Sequence, residues 1–218
     1  MATDRVLCRS HLQSSVESDQ LTSPDEPYVS NPYRILQMAS DWRNAIETQR
    51  EQKDQYFGEH PHSPLSPDER ESFDGLEYYP IDEDYRFELP LEEYDDPEQI
   101  TVGTSTDGEQ EYLEWGEFQF TVDGEDVTLQ AYKSEPDDDR LWVPFRDATS
   151  GDETYGAGRY LDLEVDSHRT SDGDWILDFN EAYNPTCAYS DQYECPLPPM
   201  DNWLEVPIEA GEKDYGDH

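Results

Sequence analysis

In the first third of the chain, apolar residues recur with the period of a helix. Ile35, Met38, Trp42, Ala45 and Ile46 fall three to four residues apart, apart from adjacent Ala45 and Ile46, and neither Gly nor Pro interrupts before Gly58. The spacing predicts an amphipathic helix over about residues 33–56, with a packing role. Unusually for this chain, the helix carries as many cations (Arg34, Arg43, Arg50, Lys53) as acids. Ser66, Pro67 and Glu69 then supply an N-cap, a proline at the first helical position and a Glu two residues further on, which predicts a short helix over 67–74 that stops at Gly75.

Beyond Leu76 the apolar period shortens to two. YRFELPLEE, QITVGTS, YLEWGEFQFTV, DVTLQAYKS, RLWVPFRDA, GRYLDLEV and DWILDFNEAY are rich in Val, Ile, Thr and aromatics and read as strands. A last strand is expected over about Leu204–Glu209, before Ala210-Gly211. Turn signals separate the runs, and FQFTVDGEDVTLQAY alternates cleanly about Asp123-Gly124, a hairpin turn. Seven or eight short strands joined by tight turns predict a mainly β fold: an antiparallel barrel or sandwich preceded by one long and one short helix. The expected layout is an acidic, loosely attached tail over residues 1–30, a helical segment over 31–76 packing on the barrel, a β domain over 77–213 and a C-terminal tail over 214–218.

Charge narrows the setting. The 218 residues include 54 acids and 14 bases, for a formal charge of −40, and only three bases are lysine. Such like charge repels itself in dilute salt. At molar salt the Debye length falls to about 3 Å and the repulsion is screened. This composition predicts a cytoplasmic protein of a salt-in halophile, of haloarchaeal type. With 15 Tyr, 7 Phe and 5 Trp the chain has ample core material, which argues against a wholly disordered acidic chain. No basic patch is present for nucleic acid, no apolar run approaches a membrane span, and the start MATDRVLCRSHLQSS has no apolar signal core. Nucleic acid and membrane are therefore not expected partners; the oligomeric state is left open.

Two segments hold candidate chemistry. In PFRDATSGDETYGAGRYLDL, Gly151, Gly156 and Gly158 do not make a phosphate loop, because Ala157-Gly158 stand where Lys and Ser/Thr are required. Arg146, Asp147, Arg159 and Asp162 flank one loop. They would either grip an anionic group, for which paired arginines are suited, or form a structural network with Asp147, Glu153 and Asp178. In DFNEAYNPTCAYSDQYECPLPP, Cys187 and Cys195 lie eight positions apart with no His nearby, which disfavours zinc and a CxxC redox motif and favours two buried thiols in a proline-stiffened loop. No metal site is expected.

These segments carry a resemblance. Trp42-Arg43, Ser63-Pro64-Leu65, Pro144-Phe145-Arg146-Asp147, Glu153-Thr154-Tyr155, Gly158-Arg159-Tyr160-Leu161, Asp178-Phe179-Asn180, Ala182-Tyr183-Asn184-Pro185, Cys195-Pro196-Leu197-Pro198-Pro199 and Ala210-Gly211-Glu212-Lys213 resemble the signatures of the domain of unknown function 1684 family, over about residues 35–213. Asp201 departs from the Glu expected before Asn202, and residues 1–30 match no part of the pattern. The resemblance implies membership and no reaction.

The first functional expectation is a small-molecule binding β domain for an anionic ligand. Arg146 and Arg159 would hold the charge, Tyr155, Tyr160, Tyr183 and Tyr189 would form walls, and Asn180, Asn184 and Asn202 would orient polar groups. The alternative is a hydrolytic or acid–base enzyme with Asp147, Glu153 or Asp178 as proton-transfer group beside an arginine. A flavin-binding barrel is a third expectation, held on analogy; no cofactor is required by the residues.

Overall fold

The structure, a computed structural model, describes residues 32–216. The expected tail over 1–30 lies outside the described residues, as do Cys8, His11, His218 and the side chains of Ile35 and Met38. The compact unit that begins at Ala39 carries all of the strands and most of the first helix.

Helix α1 spans Pro32–Glu59 and α2 spans Pro67–Ser72. The capping box at α2 forms as expected: the Glu69 amide donates to Ser66 Oγ at 3.3 Å, and the Ser66 amide donates to Glu69 Oε2 at 2.7 Å. On α1, Ile46 and Phe57 are buried, Lys53 reaches Glu212, and two arginines donate to neighbouring backbone. Arg43 donates to Ile81 O at 2.8 Å, and Arg50 donates to Tyr79 O at 3.0 Å and Asn180 O at 3.2 Å. The helix therefore keeps its positive charge because it is fastened by hydrogen-bond donors.

Seven strands follow: β1 Arg86–Leu89, β2 Glu92–Gly103, β3 Glu109–Val122, β4 Glu125–Lys133, β5 Arg140–Phe145, β6 Arg159–Glu164 and β7 Trp175–Asp178. A four-residue helix, α3 Val165–His168, links β6 towards β7. The β3–β4 turn is the one the alternation predicts. Asp123 (φ 52°) and Gly124 (φ 87°) both take positive φ, the geometry of a primed two-residue hairpin, and Val122 pairs with Glu125.

Strands β2-β3-β4-β5-β6 form one antiparallel sheet in sequence order, and β1 and β7 pair with each other in a second, two-stranded sheet. The fold is mainly β and antiparallel, as expected, but the larger sheet stays open, with β2 and β6 as its edges; no closed barrel is found among the described residues, and the expected barrel or sandwich holds only as antiparallel β sheet. The WILD strand does not enter a barrel; it pairs with β1, Phe87 opposite Leu177. The expected last strand over 204–209 is also not a strand. It makes only two backbone bonds to the chain after β5, the Leu204 amide donating to Arg146 O at 2.8 Å and Val206 O accepting from the Ala148 amide at 3.1 Å, and then side chains take over: the Ile208 amide donates to Asp147 Oδ2 at 3.1 Å, and Ile208 O accepts from Arg159 at 2.8 Å.

The main core lies on one face of the large sheet. Phe118, Phe120, Leu129, Leu141, Val143, Phe145, Leu161 and Leu163 pack there with Trp175, Leu177 and Phe179 from the small sheet and with Ile208 and Ala210. The other face buries Val102, Tyr132, Trp142 and Tyr160. Strand β5 is thus covered on both faces, which explains its continuous apolar run. A third cluster, Phe57, Leu65, Leu76, Ala188 and Tyr189, joins the end of α1 to the loop after Pro185.

Candidate functional site

Alternation along a strand decides the fate of the two candidate arginines. Arg159 is in phase with Leu161 and Leu163, so it points into the core, where it is 0 % exposed. Its guanidinium donates to Asp147 Oδ2 at 2.7 Å, to Ile208 O, to Ala210 O and, at 3.2 Å, to Glu212 O. Asp147 in turn accepts on Oδ1 from the Thr149 amide and hydroxyl at 3.0 and 2.7 Å. Burial lowers the Arg159 pKa and the Asp147 carboxylate opposes that. The pair is a brace that straps residues 208–212 onto the core. Arg146 is out of phase with Phe145; it leaves by the opposite face and stacks over Trp203, its guanidinium carbon 4.3 Å from the ring centre. The two arginines share a loop in sequence and no cleft in space.

The other candidates separate in the same way. Glu153 is exposed and accepts from Tyr79 Oη at 3.2 Å and Lys213 Nζ at 3.1 Å. Tyr155 lies 3.8 Å from the Cys187 sulfur, and Tyr160 donates to Pro196 O. Asn184 donates to Lys213 O at 2.7 Å, and Asn202 is spent on Gln130 and Pro144. Cys187 and Cys195 are buried free thiols, with the Cys187 amide donating to the Cys195 sulfur at 3.2 Å. Hydrogen bonding from Cys195 draws the Cys187 thiol down to about 6, against the push of burial. No group of three or more His, Cys, Asp or Glu suited to a metal ion occurs among the described residues.

Asp178, Asn180 and Tyr183 do meet, in a groove between α1 and the β6–β7 end of the domain. Its larger lobe, about 480 Å³, is lined by Trp42, Arg86, His168, Asp178 and Glu181 among others. Its smaller lobe, about 240 Å³, is lined by Arg50, Lys53, Tyr78, Asn180 and Glu212. Gln49, Glu181 and Tyr183 line both and mark the throat. From α1, Trp42, Gln49, Arg50 and Lys53 face the groove at helical spacing of seven or eight and then eleven residues.

In the larger lobe Trp42 Nε1 donates to Asp178 Oδ2 at 2.7 Å, and the Asn180 amide and Nδ2 donate to Asp178 Oδ1 at 3.0 and 2.8 Å. Burial pushes the Asp178 carboxyl above its ordinary range, while the Asn180 and Trp42 hydrogen bonds pull it back. Tyr183 Oη donates to Asp162 Oδ2 at 2.6 Å. His168 Nε2 lies 2.8 Å from Glu181 Oε2, and the Glu164 amide donates to His168 Nδ1 at 3.0 Å. With Nδ1 accepting, the neutral ring carries its proton on Nε2, towards Glu181. In the smaller lobe Lys53 Nζ lies 2.6 Å from Glu212 Oε2, whose carboxylate also accepts from the Asn184 amide at 3.1 Å and from Tyr189.

Sequence reasoning missed Arg50, Lys53, Tyr78, Arg86, His168, Glu181 and Glu212 as groove residues. One signal was present: α1 holds four cations against five acids, close to balance in a chain at −40.

A family model described as a protein of unknown function, DUF1684, matches residues 71–213. Among solved structures, the solution NMR structure of an uncharacterized protein of Haloarcula marismortui is 43 % identical, covers 84 % of this chain and 99 % of its own, and has a TM-score of 0.64. The search of curated proteins found no match. Among the described residues no helix is long and apolar enough to cross a membrane.

Proposed function

The chain belongs to the DUF1684 family of proteins of unknown function, and from that premise we propose that it binds a small polar molecule in the groove beside α1. The observation that carries the reading is the groove itself: two adjoining lobes, of about 480 and 240 Å³, with aromatic walls and convergent polar groups. Trp42, Tyr78 and Tyr183 supply the walls. The ligand-holding part expected of Arg146 and Arg159 passes to residues of α1 and of the segment after β7. The same reading sets the protein in a salt-rich cytoplasm, where screening relieves a charge of −40.

Blocking the throat tests it. Gln49 is exposed and makes none of the hydrogen bonds that fasten α1, so Gln49→Trp fills the groove at little cost to folding. Native mass spectrometry after incubation with a metabolite extract should show a retained species on the wild type, weakened tenfold or more by Gln49→Trp. Equal retention by both proteins, or none by the wild type, overturns the reading.

A second reading, proton transfer by His168, rests on the His168–Glu181 pair in the larger lobe, with Ser167 Oγ 2.9 Å from His168 Nδ1. Burial disfavours the His168 cation, but Glu181 outweighs it and the pKa rises above its ordinary value. A raised folded value means that the pair's stabilisation is complete below about pH 6.5 and fades as pH rises through the folded pKa. NMR titration should place the wild-type His168 above the ordinary histidine value, and His168 in Glu181→Gln well below the wild type. The melting-temperature gap between the two proteins should close at alkaline pH. A titration unmoved by Glu181→Gln removes the basis for this reading.

A further inference from the structure

Charged groups lining the groove cancel in pairs, with one exception in the smaller lobe. Lys53 meets Glu212 at 2.6 Å, His168 meets Glu181 at 2.8 Å, Arg86 approaches Asp178 at 3.7 Å and Arg140 approaches Asp162 at 3.4 Å. Glu164, the remaining lining carboxylate, lies in the larger lobe. Arg50 makes no ion pair among the described residues; its two terminal nitrogens donate to the neutral carbonyls of Tyr79 and Asn180. In a chain with 54 acids, a cation held inside a groove without a carboxylate partner is out of keeping with the rest of the surface.

Unspent donors lie at the same place. Arg50 Nε and Tyr78 Oη are both buried without a hydrogen-bond partner, and the guanidinium carbon sits 4.4 Å from the Tyr78 ring centre. Each orphan costs the fold a desolvation penalty. Burial, then Glu212 and Asp54, pushes the Tyr78 phenol well above its ordinary pKa, so it stays protonated and able to donate. The stack fixes the guanidinium plane, and what both groups lack is an acceptor oxygen.

We infer that the smaller lobe is an anion subsite in which Arg50 and Tyr78 hold a carboxylate of the ligand. The inference rests on the groove being the binding site and adds the class of group it selects. Arginine suits it because its planar fork meets a carboxylate through more than one N–H. The acids that act on this place do not oppose it, since Glu212 is spent on Lys53, Tyr189 and Asn184, Asp178 on Trp42 and Asn180, and Asp54 on the Leu76 amide, while Glu47 is exposed to solvent.

The test uses matched probes and one conservative variant. Isothermal titration at constant chloride compares acetate, propionate and benzoate with the corresponding primary amides. Carboxylates should bind at least tenfold more tightly than amides. Tyr78→Phe should weaken carboxylate binding about tenfold, the scale of a hydrogen bond to a charged group. It should also raise the melting temperature of the ligand-free protein, because it removes an unsatisfied hydroxyl; a merely structural hydroxyl would give a fall. Amides binding as well as carboxylates, or a lower melting temperature with unchanged affinity in Tyr78→Phe, overturns the inference. If no carboxylate binds while Gln49→Trp still abolishes retention of an extract component, the anion subsite falls and the groove stands. If Gln49→Trp leaves that retention unchanged, both fall.

Discussion

Asp147→Ala should lower the unfolding free energy by about 3–5 kcal/mol, the scale of breaking a buried ion pair, whereas Arg146→Ala should cost about 1 kcal/mol or less, the scale of an exposed cation–π contact. The two residues are sequence neighbours, and the difference comes from the side of the strand each one takes. Removing the Asp147 carboxylate leaves the Arg159 guanidinium uncompensated at 0 % exposure. It also frees the Ile208 amide and the Thr149 amide and hydroxyl that the carboxylate accepts from. The strap 208–212 then loses its anchor at one end. Urea unfolding at fixed salt, followed by tryptophan fluorescence, measures both variants. Equal losses for Asp147→Ala and Arg146→Ala would refute the assignment of opposite faces. Replacing both members, as Asp147→Leu with Arg159→Met, should recover only part of the loss. Three carbonyls that Arg159 serves, those of Ile208, Ala210 and Glu212, would still lack a donor.

That contrast also marks what the chain discloses before folding. Local rules were legible: the period of α1, the Ser66–Glu69 capping box and the Asp123-Gly124 turn each depend on residues within a few positions. Closure was not, because whether β2 and β6 meet is a long-range matter that no turn encodes. The segment 204–210 misled for a definite reason. Leu204, Val206, Ile208 and Ala210 alternate like a strand, and they do face the core, but alternation reports side chains and not what the backbone bonds to. Here Leu204 and Val206 bond to the backbone of Arg146 and Ala148, and Ile208 bonds to the side chains of Asp147 and Arg159, so no continuous ladder forms. The candidate arginines were separable from sequence by parity, since Arg159 shares a phase with Leu161 and Leu163; proximity to one loop hid that. The groove was harder. Asp178, Asn180 and Tyr183 belong to it, but their partners Trp42, Arg50 and Lys53 come from a helix more than a hundred residues earlier.

The strap has a second role, which ties the brace to the groove. Gly211 takes φ 76°, and a Cβ there would stand 2.6 Å from the carbonyl oxygens of Phe179 and Ala182, so the chain passes close over the segment that lines the smaller lobe. The next residue, Glu212, reaches Lys53 of α1. Arg159 thus fixes from below the residues that position Glu212 and, through it, one wall of the lobe.

Asn202→Ala should cost about 2–4 kcal/mol, although Asn202 touches neither brace nor groove; stranding a few buried backbone groups is enough for that. The reason is a proline in a central strand. Tyr132 of β4 pairs with Trp142 of β5, which sets Gln130 opposite Pro144 in the antiparallel register. Pro144 has no N–H, so the ladder cannot close there. The Asn202 amide does the closing instead: its Oδ1 accepts from the Gln130 amide at 2.7 Å, and its Nδ2 donates to Gln130 O at 2.9 Å and Pro144 O at 2.6 Å. A primary amide offers a peptide-like donor and acceptor on one short stem, which is why Asn suits the gap. Asn202 is 0 % exposed, and truncation leaves one N–H and two carbonyls unmet in the middle of the sheet. Asn202→Asp should be no better, because it keeps the acceptor, loses both donors and buries a charge. Hydrogen exchange gives the sharper readout. The Gln130 amide should be protected to the level of global unfolding in the wild type and exchange by local opening in Asn202→Ala. Unchanged Gln130 protection in that variant would mean that β4 and β5 hold together without the inserted amide. Restoring the missing donor with Pro144→Val in the Asn202→Ala background should recover part of both the stability and the protection, since the two strands can then pair directly.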